Sequence, residues 1–313
     1  MTSVLIIGAG PVGLVAAIEC ARRGIDVTII DRTSGPTDES RAVGLSRQSL
    51  RLLEPSGASA KILDQSVALR RARFHDKDKH LTTLDVPQPE DDSPPPMVLL
   101  SQSETERILI DTLQEYGVTP LWNREAKSMQ QNPERATAIF ADGARLSADY
   151  MLGADGSRSY TRKSLGFWFH GETYEESWSL LDAEIDWPYI DVQAAPFLNT
   201  DGSVMFAVQI ADGLYRVISN REDVETDVAR QFVIKRVHWK SEFNVSLRAV
   251  ENYGDRRIWI AGDAAHVHSP VGGMGMNLGI EDACDFAATV EGNKDFQGYE
   301  AVSYTHLTLP TKA

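Results

Sequence analysis

The sequence predicts an α/β fold in which a Rossmann-like domain is interleaved with a mainly antiparallel β-sheet domain. Three observations carry that expectation. A strand, glycine-rich turn, helix and second strand open the chain. Two further apolar strands later in the chain run into glycine-bearing turns. Two Asp-Gly pairs, Asp142-Gly143 and Asp212-Gly213, lie between alternating runs such as Thr137 to Phe140 and Phe206 to Ile210, a strong local hairpin signal.

The first thirty residues justify the first element. Val4 to Ile7 are apolar and partly β-branched, Pro11 to Arg23 run at helical spacing, Gly24 supplies a stop, and Val27 to Ile30 form the next strand. Farther on, Ser103 and Glu106 have the spacing of a capping box for a helix that carries Ile108, Leu109 and Leu113 and ends at Gly117. The stretch between these units reads as irregular. Within it Pro87, Pro89 and Pro94 to Pro96, mixed with Glu90, Asp91 and Asp92, predict a surface loop, because proline cannot continue a helix or a central strand.

Composition bounds the function. The chain has 313 residues, 42% hydrophobic and 24% charged, with a formal net charge of −14. That balance argues against a nucleic-acid partner, since neutralising phosphates takes clustered Lys and Arg. Val4 to Ile18 form the longest apolar stretch, too short and too rich in glycine to be a membrane span, and without the basic start of a signal peptide. The two cysteines, Cys20 and Cys284, give no disulfide framework and read as packed small residues, which fits a cytoplasmic protein.

The segment Gly8-Ala9-Gly10-Pro11-Val12-Gly13 sits between strand and helix, and Asp31 follows at the end of the next strand. Gly8 permits a tight turn, Gly10 lets the backbone approach a pyrophosphate, and Gly13 lets helix and strand pack closely. The helix N-terminus then offers N–H groups to phosphate, and Asp31 can accept hydrogen bonds from a ribose. Alone, this segment predicts a dinucleotide and does not separate NAD from FAD. A second turn, Gly153-Ala154-Asp155-Gly156-Ser157-Arg158-Ser159-Tyr160-Thr161-Arg162, follows the strand ending at Leu152. A third, Gly262-Asp263-Ala264-Ala265-His266, follows Ile258 to Ala261 and leads into Ser269 to Asn277, so that four glycines, Gly262, Gly272, Gly273 and Gly275, lie around Pro270. So many glycines are entropically costly unless the backbone must approach something closely.

With these three segments in this order, the chain resembles the class A flavoprotein monooxygenases of the para-hydroxybenzoate hydroxylase type. The resemblance runs from about Ser3 to Ala301 and is weak between Trp187 and Trp239. It implies that the first segment, with Asp31 and Arg32, holds the ADP half of FAD. The second, through Asp155 and Gly156, serves FAD and the nicotinamide donor. In the third, Asp263 would hold a ribityl hydroxyl, with Gly273, Gly275 and the backbone of Met276 and Asn277 at the pyrimidine end of the flavin. Arg41 and Gln102 stand at positions of further FAD contacts, and Pro270 is the proline whose backbone carbonyl touches the chemistry. The implied activity is hydroxylation of a small phenolic or other aromatic substrate with O2 through a flavin hydroperoxide, FAD being reduced by a transient NADPH or NADH. A homodimer is left open. Rivals are a flavin-dependent halogenase, disfavoured because Trp178 is followed by Ser, Leu and Leu in place of W-x-W-x-I-P, a reductase of isoprenoid double bonds, and a truncated FAD-binding fragment without turnover.

The organisation expected is therefore an FAD-binding domain in three parts, 1–75, 101–166 and 251–301, with a loop and sheet insertion at 76–100 and a substrate domain at 167–250. No metal site is expected: His266 and His268 lack metalloprotease spacing, His75 and His80 read as a solvated strand end, and Trp168, Trp178 and Trp187 read first as packing residues, with one of them lining an aromatic pocket as the alternative. Residues 302–313 read as a non-native tail. Val302 to Thr311 are the translation of GTC TCT TAT ACA CAT CTG ACG CTG CCG ACG, a transposase adapter from a sequencing library, so the family's C-terminal helices are expected to be truncated.

Overall fold

The computed structural model describes residues 1–37, 42–269 and 273–292, together with Phe296 and Tyr299; Arg41, Pro270 and the tail 302–313 lie outside the described residues. Tyr150–Gly153 is the centre of a five-stranded sheet whose order is Gly254–Asp255, Ile258–Ile260, Tyr150–Gly153, Ser3–Ile7 and Asp26–Ile30. All neighbours are parallel except the two-residue edge strand. Burial on both faces explains the near-continuous apolar runs of these strands. The helix Pro11–Arg22 packs behind this sheet, buried along Gly13 to Cys20, and shares one core with the helix Met274–Val290.

A second, eight-stranded sheet runs His266–Val267, Val233–Ala249, His170–Asp186, Leu214–Ser219, Val204–Ala211, Ala194–Leu198, Arg71–Asp76 and Lys79–Asp85. It is antiparallel apart from one parallel pairing, between Ala194–Leu198 and Arg71–Asp76. Side chains alternate between its faces. One face carries Leu181, Ala183, Phe197, Met205 and Val217 into a core closed by Val224 and Val228 of the helix Val224–Gln231. The other face carries Leu180, Asp182, Arg216 and Ile218, with Arg216 reaching the Ala42 carbonyl.

Both Asp-Gly turns form as expected. Ala136–Phe140 pairs with Arg145–Ala148, with Gly143 at φ +80°, and Val204–Ala211 turns back into Leu214–Ser219 through Asp212-Gly213, with Gly213 at φ +69°. The helix carrying Ile108 and Leu109 begins earlier than its capping box predicted. It spans Gln102–Glu115, and its N-cap is Ser101, whose hydroxyl accepts from the Glu104 N–H at 3.2 Å. Ser103 is already inside the first turn, and Glu106 is buried against Gln102.

The stretch read as irregular contains structure. Gly44–Ser46 and Val67–Ala68 flank Met97–Leu99 in a small sheet, two short helices span Arg47–Leu53 and Ala58–Gln65, and Arg71–Asp76 with Lys79–Asp85 forms a hairpin of the large sheet. A boundary at residue 75 thus falls inside a strand. The proline-rich loop is as expected, though Arg47 anchors it by donating to the Pro94 carbonyl at 2.7 Å.

Candidate active site

Gly8 to Gly13 and the second turn are in direct contact. A Cβ on Gly8, at φ +107°, would meet the Ala154 carbonyl oxygen at 2.3 Å, and one on Gly13 would lie 1.9 Å from the Gly8 oxygen. Only glycine fits either position. Gly10 differs: nothing lies within 4 Å of the Cβ it lacks, and as N-cap of the Pro11 helix it makes no side-chain cap. The helix therefore begins on open space, with backbone donors directed outward. Asp31, beside this opening, accepts from the Ala9 N–H at 2.7 Å and, through its other oxygen, from Thr33 N–H and hydroxyl at 2.8 Å each. Arg32 is exposed next to it.

The second turn is organised by Asp155, whose carboxylate accepts from the backbone N–H of Tyr160 at 2.8 Å and of Thr161 at 2.9 Å. Its oxygens are thus committed to the turn itself, while Gly156 at φ +77° leaves open space beside it. Arg162, the last residue of this segment, was given no role by the sequence. It is 4% exposed, donates to the Ala264 carbonyl and to the Ser157 carbonyl at 2.9 Å each, and lies 3.8 Å over the Phe169 ring. Its sequence neighbours, Thr161 and Lys163, gave no signal that it is buried. Burial lowers its pKa from the ordinary arginine value, with Asp155 opposing that shift.

The third turn meets the first through Val12. Added Cβ atoms on Gly262 and Gly279 would come within 2.8 and 2.4 Å of Val12 Cγ2. Asp263 is exposed at this junction, in a short 3-10 turn, Gly262–Ala264, and Gly275 approaches its carboxylate. The helix Met274–Val290 starts from Gly273 at φ +63°, without a side-chain cap and without an acidic residue in its first turn. Such an end favours negative charge before it. Met276 is 9% and Asn277 4% exposed. The Asn277 side chain is fully used: its oxygen accepts from Ser46 N–H at 2.8 Å and Ser49 hydroxyl at 2.7 Å, and its amide donates to the carbonyls of Gly44 at 3.0 Å and Gly273 at 2.7 Å. What Asn277 can offer a ligand is its backbone.

Behind the third turn, His266 pairs with Asp282 at 2.6 Å. Burial opposes charge on His266, but the Asp282 carboxylate, with Asp263, outweighs it and raises the pKa. His75 differs from expectation: it is 4% exposed and stacks on Phe197 at 4.7 Å, while His80 is exposed. Trp187 stacks on Tyr215 and Phe232, Trp178 is half-buried, and Trp168 is 80% exposed. Cys20 and Cys284 are buried and free, and burial pushes both thiols up to about 12.

The second face of the large sheet carries a buried ion pair. Arg216, 1% exposed, donates to both Asp182 oxygens at 2.7 and 2.6 Å and to the Ala42 carbonyl at 3.2 Å. The Gln102 N–H donates to that same carbonyl at 3.1 Å, and the Gln102 side-chain oxygen accepts from Ala42 N–H at 3.4 Å. Ala42 is therefore a joint between the sheet and the helix Gln102–Glu115. Around the ion pair on this face lie half-buried Trp178, Phe206, Val208, Ile218 and Trp239, the last with its ring 5.5 Å from the Arg216 guanidinium. The sequence assigned both residues to the substrate domain but did not pair them. A charged residue inside each of two apolar strands was the signal, since such charges are retained only when paired.

The three glycine turns thus pack on one another, and the large sheet carries an aromatic face around Asp182 and Arg216. The family model described as "FAD binding domain" matches residues 1–208 and 217–291, and the chain belongs to this family. It is 29% identical to a rifampicin monooxygenase of Streptomyces venezuelae over 93% of its length and 31% identical to pentachlorophenol 4-monooxygenase of Sphingobium chlorophenolicum over 90%. The chain spans 65% and 56% of the lengths of those two relatives. A dialkyldecalin synthase of Streptomyces rugosporus is 28% identical over 93% of this chain and 66% of its own. The fold superposes on p-nitrophenol 4-monooxygenase from Pseudomonas putida with a TM-score of 0.85, 24% identity, and coverage of 98% of this chain and 86% of that one. FAD is the cofactor of this family, and the open Gly10 end, the Asp31 carboxylate and the uncapped Met274 helix suit its diphosphate, ribose and flavin ends respectively. Among the described residues no helix is long and apolar enough to cross a membrane.

Proposed function

We propose that this chain is the FAD- and substrate-binding part of an NAD(P)H-dependent monooxygenase that hydroxylates a phenolic or other aromatic ring. The observation that carries this reading is the aromatic sheet face around Asp182 and Arg216, joined through Ala42 to the parts that would hold FAD. In it, Gly8 to Gly13, Asp31 and Arg32 hold the ADP half, Gln102, Asp155 and Gly156 border the middle, and Asp263, Gly273, Gly275, Met276 and Asn277 hold the ribityl chain and flavin. Arg41 and Pro270, outside the described residues, keep the roles implied by the resemblance. Bound FAD would supply hydride acceptance and oxygen activation. The chain's own residues orient the ring, exclude water and place helix N–H donors at the flavin end that gathers negative charge. The net reaction joins ArH, O2, NAD(P)H and a proton to give ArOH, NAD(P)+ and water. The enzyme works as a monomer or homodimer in the cytoplasm, where NAD(P)H is made.

A second reading, an FAD-binding protein without redox turnover, is favoured by the dialkyldecalin synthase among the relatives. Screening phenols, hydroxybenzoates and polyketide aromatics for stimulated NAD(P)H oxidation separates the two. Under 18O2 a monooxygenase places one labelled oxygen in the product. Retained FAD with no stimulation by any ring, and no label incorporated, would favour the second reading.

A further inference from the structure

Asp282 sits inside the helix Met274–Val290 and reaches out of it to two groups of the third turn. One of its oxygens accepts from the Gly262 N–H at 2.9 Å and from His266 Nε2 at 2.6 Å, with the His266 and Asp282 side chains 2% and 5% exposed. These two partners flank Asp263, one residue before it and three after. The contact is dry and close-packed, since a Cβ on Gly279 would lie 3.3 Å from Gly262 Cα. The helix that carries Asp282 is also the one whose first turn, at Met276 and Asn277, faces the flavin end of the site.

We infer that Asp282, acting with His266, is a positioning residue for FAD: it fixes the Asp263 turn to the helix whose N-terminus receives the flavin. The inference rests on the reading that Asp263 and the Met274 helix hold FAD. A helix is stiff over this distance, about 12 Å from Met274 to Asp282 at 1.5 Å per residue. Holding Gly262 and His266 from one carboxylate therefore sets the spacing between the ribityl and pyrimidine contacts. Without that carboxylate, the Gly262 N–H is buried without an acceptor and the turn is free to shift relative to the helix.

The test is titration of the apoprotein with FAD, reading Kd and the visible circular dichroism of the bound flavin. Asp282→Ala is expected to raise Kd about tenfold or more and to change the dichroism, through loss of charge-assisted hydrogen bonds. Asp282→Asn, whose amide oxygen can still accept from the Gly262 N–H and from the Nε2–H of a neutral His266 ring, should restore Kd to within about threefold of the unmutated chain. His266→Phe, which keeps the bulk and loses the bond, should raise Kd severalfold. Thr289→Val, equally buried in the same helix and remote from the turn, should change neither readout. An unmutated Kd and dichroism in Asp282→Ala would overturn the inference alone; if that variant does not fold, the same result in His266→Phe does so. A folded unmutated chain that binds no FAD would instead overturn the underlying reading, and the inference with it.

Discussion

Asn277 and Asp155 show that a residue in a binding motif need not touch a ligand with its side chain. Each spends its polar side-chain atoms inside the protein, Asn277 joining Gly44, Ser46 and Ser49 to Gly273, and Asp155 shaping the turn before Tyr160. The sequence read both as site residues; it could not show the bonds of Asn277 to Gly44, Ser46 and Ser49, because those partners lie more than 200 positions away. His268 has a consequence for stability. Its Nε2 is buried with no hydrogen-bond partner, and burial, reinforced by His266, lowers its pKa to about 4 from an ordinary 6.5. Below pH 6.5 the unfolded chain takes up a proton that the folded chain refuses until about pH 4. Stability present above pH 6.5 should therefore be lost as pH falls through this window. Urea unfolding at several pH values should show a shallower loss for His268→Gln than for the unmutated chain; equal slopes would refute the assignment.

At the scale of elements, what was legible follows from how local each signal is. The opening strand, turn and helix, and both Asp-Gly hairpins, are written in contiguous residues whose period and turn chemistry agree. The hairpin Arg71–Asp85 escaped notice because its turn uses Lys77 at φ +52° in place of glycine or asparagine, and its outer strand is mostly exposed. Strands of two or three residues, such as Val67–Ala68, are too short to show any period. The helix Gln102–Glu115 was found, but two serines compete for its cap, and only backbone geometry chooses Ser101, extended at φ −61°, ψ 147°. Ser101→Ala should lower unfolding free energy by about 1 kcal/mol. Ser103→Ala, by the same denaturant measurement, should cost less; a reversed order would restore the capping box at Ser103 and Glu106.

Across the whole molecule, a few joints tie distant segments together: the large sheet to Ala42 through Arg216, the second turn to the third through Arg162 and Ala264, and the first turn to the third through Val12 and Gly262. Glycine spacing announced the turns. The joints were hidden because each unites residues far apart in sequence, and a buried cation such as Arg162, between Thr161 and Lys163, looks no different in sequence from an exposed one. These joints bring the three turns together, so the site should hold FAD as a unit. The most direct test is the absorbance spectrum of the purified chain after incubation with FAD and removal of free dye, alongside Asp263→Ala. A bound-flavin spectrum is expected for the unmutated chain, and a Kd about tenfold to a hundredfold weaker for the variant, the range for one charged hydrogen bond. A folded chain that retains no flavin, or a variant that binds FAD as tightly as the unmutated chain, would contradict it.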